Sequence, residues 1–248
     1  MKAPDLHGAL QDKRVLVTGA AKKIGRNLAL SFARSGAHVA ITYRDSAADA
    51  ESVVAELREF GGHAVGVRCD VRNEESVIEG VANAVAALGG LDLLVNNAGA
   101  FETAPLDSIT VEQWDAMFET NTRGPFLVAR AAYPHLKAAH GRIVNIGSLG
   151  GIHPWATHAH YCTSKAALHM LSQTMAKAWA PEVSVNCVAP GMIVTSGENT
   201  AGYEHFAEKT PMKRNGRPDD VAAAVLFFAT APQFITGQIL AVDGGLGL

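Results

Sequence analysis

Short apolar segments alternate with longer helical patterns along nearly all of the 248-residue chain. Most of the short segments are continuous apolar runs, as expected for strands that are buried on both faces of a sheet. This alternation predicts an α/β fold, a doubly wound seven-stranded parallel sheet flanked by helices. The predicted strands are 14–18, 38–43, 64–69, 91–96, 142–146, 183–188 and 238–242, and the predicted helices are 25–35, 47–60, 74–88, 110–138, 159–179 and 218–230.

The composition indicates one domain over residues 1–248, because no repeat or linker divides the chain. A hydrophobic fraction of 48% is enough for a sizeable core, and a net charge of −3 offers no basic surplus for nucleic acid. The N-terminus has no apolar leader and no apolar run approaches about 18 residues, so we expect no membrane association. Cys69, Cys162 and Cys187 lack disulfide or metal spacing, which favours a reducing cytoplasm.

The ends of the predicted strands are glycine-rich or polar. In a parallel sheet the carboxyl ends of the strands share one edge, and ligands bind there. One polar strand end is an ordinary turn, but six at one edge predict a binding site. The strand ends are TGAAKKIG at 18–25, YRDS at 43–46, CDV at 69–71, NNAG at 96–99, Ser148, and PG at 190–191.

TGAAKKIG follows the first strand and opens a helix. The unpaired amide groups of a helix N-terminus and the helix dipole suit a pyrophosphate. Gly19 and Gly25 would let the backbone approach that group, although both could instead allow tight helix–strand packing. Lys22 and Lys23 stand where phosphate loops often have another glycine.

Tyr161 and Lys165 lie four residues apart in a predicted helix and share one face. A nearby ammonium favours the phenolate, so we expect the Tyr161 pKa to lie below its reference value of about 10, which suits proton exchange near neutrality. Ser148 could hydrogen-bond a carbonyl oxygen that Tyr161 protonates. Asn121 could hold a water that relays protons to Lys165, or it could be an exposed helical residue.

TGxxxxxG, NNAG, Asn121, Ser148, YxxxK and the PG turn occur in an order and spacing that resemble the classical short-chain dehydrogenase/reductase family over about residues 12–248. The resemblance implies a Rossmann-type fold, a nicotinamide cofactor and hydride transfer to or from a carbonyl-like carbon. It also implies a catalytic tetrad of Asn121, Ser148, Tyr161 and Lys165. A homotetramer through the long helices 110–138 and 159–179 is implied as well.

The same resemblance implies a set of cofactor contacts. Asp70 and Val71 would border the adenine, and Ile193 and Thr195 would meet the nicotinamide amide. Asn97 and Gly99 would line the cofactor cleft. The complete predicted set is Gly19, Lys23, Ile24, Gly25, Arg44, Ser46, Asp70, Val71, Asn97, Ala98, Gly99, Tyr161, Lys165, Pro190, Gly191, Ile193 and Thr195.

Lys23 departs from the family pattern, which has glycine there, and resembles members that use NADP(H). The 2′-phosphate of NADP(H) needs a cation, whereas selection of NAD usually uses a carboxylate on the ribose. Arg44 could pair bidentately with that phosphate and Ser46 could donate a hydrogen bond to it. Asp45 is near the position of the ribose carboxylate, but we expect it to face solvent. These residues predict NADP(H), with Lys22 solvated.

Two groups of reductases within the family resemble this chain. Phe101, two residues after NNAG, matches the position where bacterial pteridine reductases stack a pterin ring. Those enzymes have aspartate where this chain has Ser148, which instead resembles 3-oxoacyl-carrier-protein reductases and general ketone reductases. We therefore predict a small carbonyl substrate, with a pterin as the alternative. An acyl carrier protein would need basic residues near the cleft, and the candidates are Lys209, Lys213, Arg214 and Arg217.

The predicted substrate contacts are Phe101, Ser148, His153, Trp155 and Tyr161, with His158 beside them. His158 and His160 lack a carboxylate or cysteine at ligand spacing, so we predict no metal. The polar residues 196–210 predict a mobile substrate lid within about 194–212. Two alternatives stay open: a non-catalytic NADP(H)-binding sensor, and a dehydrogenase that oxidises an alcohol with NAD.

Overall fold

A computed structural model describes residues 8–195 and 203–248 of the chain. Within these residues the strands are β1 Arg14–Val17, β2 His38–Tyr43, β3 Ala64–Arg68, β4 Leu93–Asn96, β5 Arg142–Ile146, β6 Ser184–Pro190 and β7 Ile239–Val242. They form one seven-stranded sheet in the order β3-β2-β1-β4-β5-β6-β7, and every neighbouring pair is parallel. The predicted doubly wound, single-domain α/β fold is confirmed.

The strand order reverses between β1 and β4. Leu16 of β1 pairs with Ala40 of β2 on one side and with Leu94 of β4 on the other. The chain extends the sheet towards β3 first and then returns to build β4 to β7. In such sheets the crevice at the reversal, beyond the carboxyl ends, is the place where ligands bind.

Helices cover both faces of the sheet. They are α1 Lys23–Arg34, α2 Ala47–Arg58, α3 Glu74–Leu88, α4 Val111–Phe118, α5 Gly124–Ala138, α6 Ala159–Trp179, α7 Glu204–Lys209 and α8 Pro218–Thr230. Val15 and Val17 pack with α1, α2 and α8, whereas Leu16 packs with α3, α5 and α6. Alternate residues of one strand thus enter different layers, which explains why the strands are continuous apolar runs.

The predicted helix 110–138 is interrupted by a π-helical turn at Glu119–Arg123. The Gly124 N–H donates to the Glu119 carbonyl, which closes a wider turn than an α-helix allows. The extra residue changes the direction of the side chains in this turn. Asn121 is consequently directed into the protein and is 0% exposed, so the surface alternative for this residue is wrong.

Five strands, β1, β3, β4, β6 and β7, differ from their predicted bounds by one or two residues, and the differences in β4 and β6 are the largest. β4 begins at Leu93 rather than at residue 91, and Asp92 just before it is held by an ion pair. β6 extends to Pro190, which pairs with Val242 of β7, so the polypeptide leaves the sheet at Gly191.

The predicted lid falls partly outside the described residues, since these do not include 196–202. The later part of the lid contains α7, a short helix that the sequence patterns did not predict. No helix in the described part of the chain has the length and apolarity to cross a membrane.

The ion pair between Arg14 and Asp92 fixes β4 beside β1. Arg14 donates to the Asp92 Oδ2 atom from Nε at 2.7 Å and from its backbone N–H at 2.9 Å. Burial acts to raise the pKa of Asp92, but these hydrogen bonds and the Arg14 charge outweigh it, so the pKa lies below 3.8. The carboxylate is therefore ionised near neutral pH and contributes to stability.

We expect Asp92→Asn to lower the free energy of unfolding by about 2 kcal/mol at pH 7, because a part-buried guanidinium loses its charged acceptor. Because folding depresses the Asp92 pKa, the contribution of Asp92 to stability is complete above about pH 3.9 and is lost as the pH falls through the lower pKa of the folded state. Urea denaturation of the parent and the variant at pH 7, and at a pH below the folded-state pKa, measures the difference. Glu56→Gln, which breaks the more exposed Arg26–Glu56 pair, should cost less than about 1 kcal/mol; equal losses would contradict this account.

Candidate active site

Thr18 joins the carboxyl ends of β1 and β4. Its Oγ1 accepts hydrogen bonds from the backbone N–H groups of Asn97 and Ala98, each at 3.0 Å. Asn97 returns the contact, since its Nδ2 donates to the Thr18 and Gly19 carbonyls at 2.9 and 3.0 Å. The two strand ends are therefore held as one unit at the reversal of the strand order.

The glycines after β1 are required by close packing. Gly19 has a φ of +62°, and a Cβ on it would lie 2.8 Å from the Ala98 Cα. A Cβ on Gly25 would lie 2.4 Å from the Asn97 Nδ2 and 2.6 Å from the Gly19 carbonyl oxygen. Packing alone thus accounts for both glycines, and the case for a phosphate site rests on the amide groups.

The N-terminus of α1 offers those amide groups. Lys22 is the N-cap residue, its side chain makes no capping hydrogen bond, and the first turn contains no acidic residue. The amides and the positive end of the helix dipole therefore suit an anion at the carboxyl edge of the sheet. This donor set fits a dinucleotide pyrophosphate, with Gly19, Ile24 and Gly25 supplying the surrounding backbone.

The two lysines of this turn have different environments. Lys22 pairs with Asp49 at 3.0 Å. Lys23 is exposed and has a φ of +52° at the first position of α1. Non-glycine residues rarely adopt this left-handed conformation, so a lysine there indicates a use for its side chain.

A polar cleft of about 610 Å³ lies beyond β2 and β3. It is lined by Arg44, Asp45, Arg68, Asp70, Arg72, Asn73, Ser76 and Glu79. Asp45 is exposed, as expected, and it pairs with Arg44 at 2.5 Å. Arg72 pairs with Asp70 at 2.6 Å. Hydrogen bonds from Arg72 lower the pKa of Asp70 and keep it ionised. Arg68 donates from Nε to the Arg44 carbonyl at 3.3 Å and forms no ion pair with a described residue, so its charge is available to an anion.

Lys165 and Asn121 meet at Gly99. A Cβ on Gly99 would lie 3.3 Å from the Asn121 Oδ1 and 3.6 Å from the Lys165 Nζ. Lys165 donates to the Ile146 carbonyl at 2.8 Å. The Ala100 N–H donates to Asn121 Oδ1 at 2.8 Å, and Asn121 Nδ2 donates to the Ala100 carbonyl at 2.9 Å. Both predicted residues are buried and converge beside the NNAG segment.

The side chains of Ser148 and Tyr161 lie close together, and the Ser148 hydroxyl acts to lower the Tyr161 pKa. Ser148 is buried at the start of a 3-10 turn, where its Oγ accepts from the Gly150 N–H at 3.0 Å. The structure therefore brings together the predicted proton donor and the predicted hydroxyl partner from β5 and α6.

Burial dominates the protonation of Tyr161 and Lys165. It raises the pKa of Tyr161 and outweighs the effect of the nearby Ser148 hydroxyl, which lowers that pKa. The predicted lowering of the Tyr161 pKa is thus wrong for this structure, because a buried phenolate loses more hydration than its neighbours replace. Burial also lowers the pKa of Lys165 to about 8, so the ammonium still predominates at pH 7. The pair is a neutral phenol beside a buried cation.

Aromatic rings surround Tyr161 at the mouth of the site. Phe101 is 61% exposed, and its ring lies edge-on to Tyr161 at 4.8 Å and stacks on His158 at 4.9 Å. Trp155 lies nearly parallel to Tyr161 at 6.1 Å. His153 lies apart from this group, beside Gly247, where a Cβ would be 2.9 Å from its Nε2.

The two histidines near Tyr161 differ in their contacts, since His158 forms hydrogen bonds and neither ring nitrogen of His160 has a hydrogen-bond partner among the described residues. His158 contacts Thr103 at 2.9 Å and Thr157 at 3.0 Å, and burial together with His160 lowers its pKa. His160 is fully buried 3.7 Å from Glu102. Among the described residues, no three His, Cys, Asp or Glu side chains group as metal ligands would.

The predicted contacts after β6 continue from the sheet edge. The Gly191 N–H donates to the Val242 carbonyl at 3.0 Å. Ile193 packs against the core and forms a bridge with Gly216, and Thr195 is buried. Of the predicted contacts elsewhere, Val71 is buried against Gly124, and Ser46 is the N-cap residue that precedes α2.

Sequence reasoning missed three residues at the site. Arg68 and Arg72 line the polar cleft, and the strand pairing of Arg68 with Tyr43 could have placed it there. Ser164 accepts from the Asn121 Nδ2 at 3.1 Å, a contact that depends on the π turn and has no sequence signal.

Comparison with known proteins places these features in context. A family model described as enoyl-(acyl carrier protein) reductase matches residues 19–247. A 3-oxoacyl-[acyl-carrier-protein] reductase of Synechocystis sp. is 37% identical over 96% of this chain and 98% of its own length.

Solved structures of known proteins are also similar to this chain. A short chain dehydrogenase from Burkholderia cenocepacia J2315 in complex with NADP superposes with a TM-score of 0.90 at 37% identity, covering 97% of this chain and 100% of that one. A 7α-hydroxysteroid dehydrogenase complexed with NADH and 7-oxo glycochenodeoxycholic acid superposes with a TM-score of 0.90 at 31% identity, covering 99% and 97% of the two chains.

The Thr18 hydroxyl should be needed for the site to form. We expect Thr18→Val to lower the free energy of unfolding by about 2 kcal/mol, because it leaves the part-buried amides of Asn97 and Ala98 without their acceptor. Thr18→Ser keeps the hydroxyl and should stay within about 1 kcal/mol of the parent. Thermal and urea denaturation compare the two variants. Equal effects of both would show that the methyl group, rather than the hydroxyl, holds the strand ends.

Proposed function

Because the chain belongs to the short-chain dehydrogenase/reductase family, we propose that it is an NADP(H)-dependent reductase that converts a small carbonyl compound to an alcohol. The observation that carries this proposal is the convergence of Ser148, Tyr161, Lys165 and Asn121 at the carboxyl edge of the sheet, next to the open N-terminus of α1. A nicotinamide cofactor, when bound, supplies the hydride.

Tyr161 acts as the general acid in this proposal. Its raised pKa keeps the phenol protonated at neutral pH, as a donor to a developing alkoxide must be. Ser148 lies beside Tyr161, presents its hydroxyl to the same substrate oxygen and fixes the position of that oxygen. The proton balance is simple, since the carbonyl oxygen gains the proton that Tyr161 loses.

Lys165 and Asn121 support the proton transfer from Tyr161 and the return of a proton to it. The Lys165 ammonium stabilises the phenolate left by the transfer, which is an electrostatic effect strengthened by burial. Asn121 is fixed by Ala100 and Ser164 close to Lys165, where a water could link the lysine to solvent. The buried Lys165 would also bind the cofactor ribose.

The preference for NADP(H) is supported by the cations around the adenosine end of the site. Lys23 occupies a backbone conformation suited to glycine. Arg44 is engaged by Asp45, which weakens it as a phosphate anchor, whereas Arg68 in the same cleft retains its charge. We propose that Lys23, Arg44 and Arg68 bind the 2′-phosphate, with Ser46 as a hydrogen-bond donor. The solved relatives include one complex with NADP and one with NADH.

The favoured substrate is a ketone or a 3-oxoacyl compound, since Ser148 suits protonation of a carbonyl oxygen. The relative from Synechocystis sp. is a 3-oxoacyl-[acyl-carrier-protein] reductase. Support for an acyl-carrier-protein partner is limited, because Arg214 pairs with Asp220 and Lys213 donates to the Glu208 carbonyl. A pterin is the second candidate, favoured by the exposed Phe101 ring at the mouth of the site.

We further propose that the enzyme is a cytoplasmic homotetramer. Apolar side chains are exposed along α4, α5 and α6, which is the pattern expected of helices that pair between subunits. These side chains are Val111, Trp114, Phe126 and Met170. Cys69, Cys162 and Cys187 are free and buried, as suits a reducing compartment.

Tyr161→Phe should lower kcat with NADPH by about 10² to 10⁴-fold, because it removes the proton donor. NADPH affinity should change by less than about threefold. NADPH consumption is followed with small ketones, an acetoacetyl thioester and dihydrobiopterin side by side. Tyr133→Phe, which removes a hydroxyl from a ring stacked on Trp179, is the matched control. Undiminished turnover by Tyr161→Phe would refute the mechanism, and tight NADPH binding without any parent turnover would favour the sensor.

Lys23→Gly should raise the Kd for NADPH about tenfold, because the 2′-phosphate loses a charged partner. The Kd for NADH should change by less than about threefold. Glycine accepts the φ of +52° without strain, so the fold is preserved. Lys22→Ala removes a neighbouring charge that pairs with Asp49 and should affect neither Kd. Equal loss of NADPH and NADH binding would give Lys23 another role.

A further inference from the structure

His169 lies on α6, one helical turn beyond Lys165 and two beyond Tyr161. It is 5% exposed, and its ring fills the space between two glycines of the segment that carries Ser148. A Cβ on Gly147 would lie 2.2 Å from the His169 Nε2, and a Cβ on Gly151 would lie 2.7 Å from its Cε1. Neither glycine has a positive φ, so close packing excludes a side chain at both positions. The ring contributes to this packing together with the Cys187 Sγ at Gly147, 2.8 Å from the Cβ, and the Lys165 backbone at Gly151, also 2.8 Å away.

The ring also holds both ends of the turn between these glycines. The Ser148 N–H donates to the His169 Nε2 at 3.4 Å, and the ring packs closely against the Gly151 backbone, which acts to raise the His169 pKa. Acceptance at Nε2 places the ring proton on Nδ1. Burial and the charge of Lys165 lower the pKa of His169 to about 4. The ring is therefore neutral at pH 7, as an acceptor must be.

This arrangement joins the two elements that supply the reacting groups. Ser148 comes from the end of β5, whereas Tyr161 and Lys165 come from α6. The position of the Ser148 hydroxyl depends on the 3-10 turn at Leu149–Gly151, since its Oγ accepts from the Gly150 N–H. Holding the turn at Ser148 and at Gly151 thus sets the hydroxyl relative to the tyrosine.

We propose that His169 is a positioning residue that fixes the main chain of Ser148 to α6 and thereby aligns the Ser148 hydroxyl with Tyr161. The inference rests on the proposed function only for its effect on turnover. The hydrogen bond from the Ser148 amide to the His169 imidazole does not depend on any reaction.

The first test needs no substrate. Hydrogen exchange at the Ser148 amide, followed by nitrogen-15 NMR of the full chain, should accelerate at least about tenfold in His169→Leu, which removes the acceptor. His169→Gln retains an acceptor near the Nε2 position and should restore protection to within about threefold of the parent. An unchanged exchange rate in His169→Leu would overturn the proposal, whether or not the protein turns over any substrate.

The second test is a double-mutant cycle on kcat. Displacing a reacting group by a fraction of an ångström can cost about 10 to 100-fold, so we expect that loss in His169→Leu, with the KM for NADPH within about twofold. If His169 acts through Ser148, adding His169→Leu to Ser148→Ala should cost less than about twofold more. Full additivity would overturn the proposal and leave His169 as a packing residue.

Ser172→Ala is the matched control, because Ser172 is buried on the same helix and contacts Asn145 rather than the Ser148 turn. Its effect should add fully to that of Ser148→Ala. If His169→Leu does not fold, His169→Met replaces it in both tests, since methionine adapts to irregular space and supplies no comparable acceptor. If Ser148→Ala itself keeps full turnover, the proposed mechanism fails, and the exchange experiment still decides the role of His169.

Discussion

The hydroxyl of Thr18 occupies the point where the strand order reverses and where the ends of two parallel strands must be joined. Strands buried on both faces leave their last amides without water, so these groups need an acceptor from the protein. The Thr18 hydroxyl oxygen accepts from two such amides, and the Asn97 side chain donates to the Thr18 and Gly19 carbonyls in the turn after β1. The rigid edge that results leaves the backbone of the first turn and the N-terminus of α1 facing outward.

Burial, rather than pairing of charges, determines the protonation of the titratable groups along α6 that the proposed mechanism uses. Tyr161, Lys165 and His169 repeat at one-turn spacing along α6. Loss of hydration keeps Tyr161 protonated and His169 neutral, while Lys165 retains its proton up to about pH 8. The same physical effect thus produces a proton donor, a cation and a neutral acceptor on one helix. A charged His169 would place two cations side by side in a dry environment.

The sheet and the tetrad positions were predictable because they depend on patterns that repeat or match a motif. Continuous apolar runs follow from burial on both faces, and YxxxK fixes a shared helical face. The π turn at Asn121 was not predictable, since its hydrogen bond from Gly124 to Glu119 leaves no compositional trace. The direction of the Tyr161 pKa shift was missed because sequence spacing reveals a neighbouring charge but not the depth of burial. His169 and Arg68 belong to no motif, and only the packing of their neighbours distinguishes them.

The two ends of the site are built in different ways, and this difference bears on specificity. The side proposed for the cofactor consists of backbone amides and strand ends fixed by buried hydrogen bonds. The mouth consists of rings, with Phe101 and Trp155 on connecting segments and His158 just before α6. Connecting segments tolerate substitution more readily than strand ends. If the chain is the proposed reductase, selection among carbonyl compounds can therefore change through the mouth while the geometry of Ser148, Lys165 and α6 stays constant.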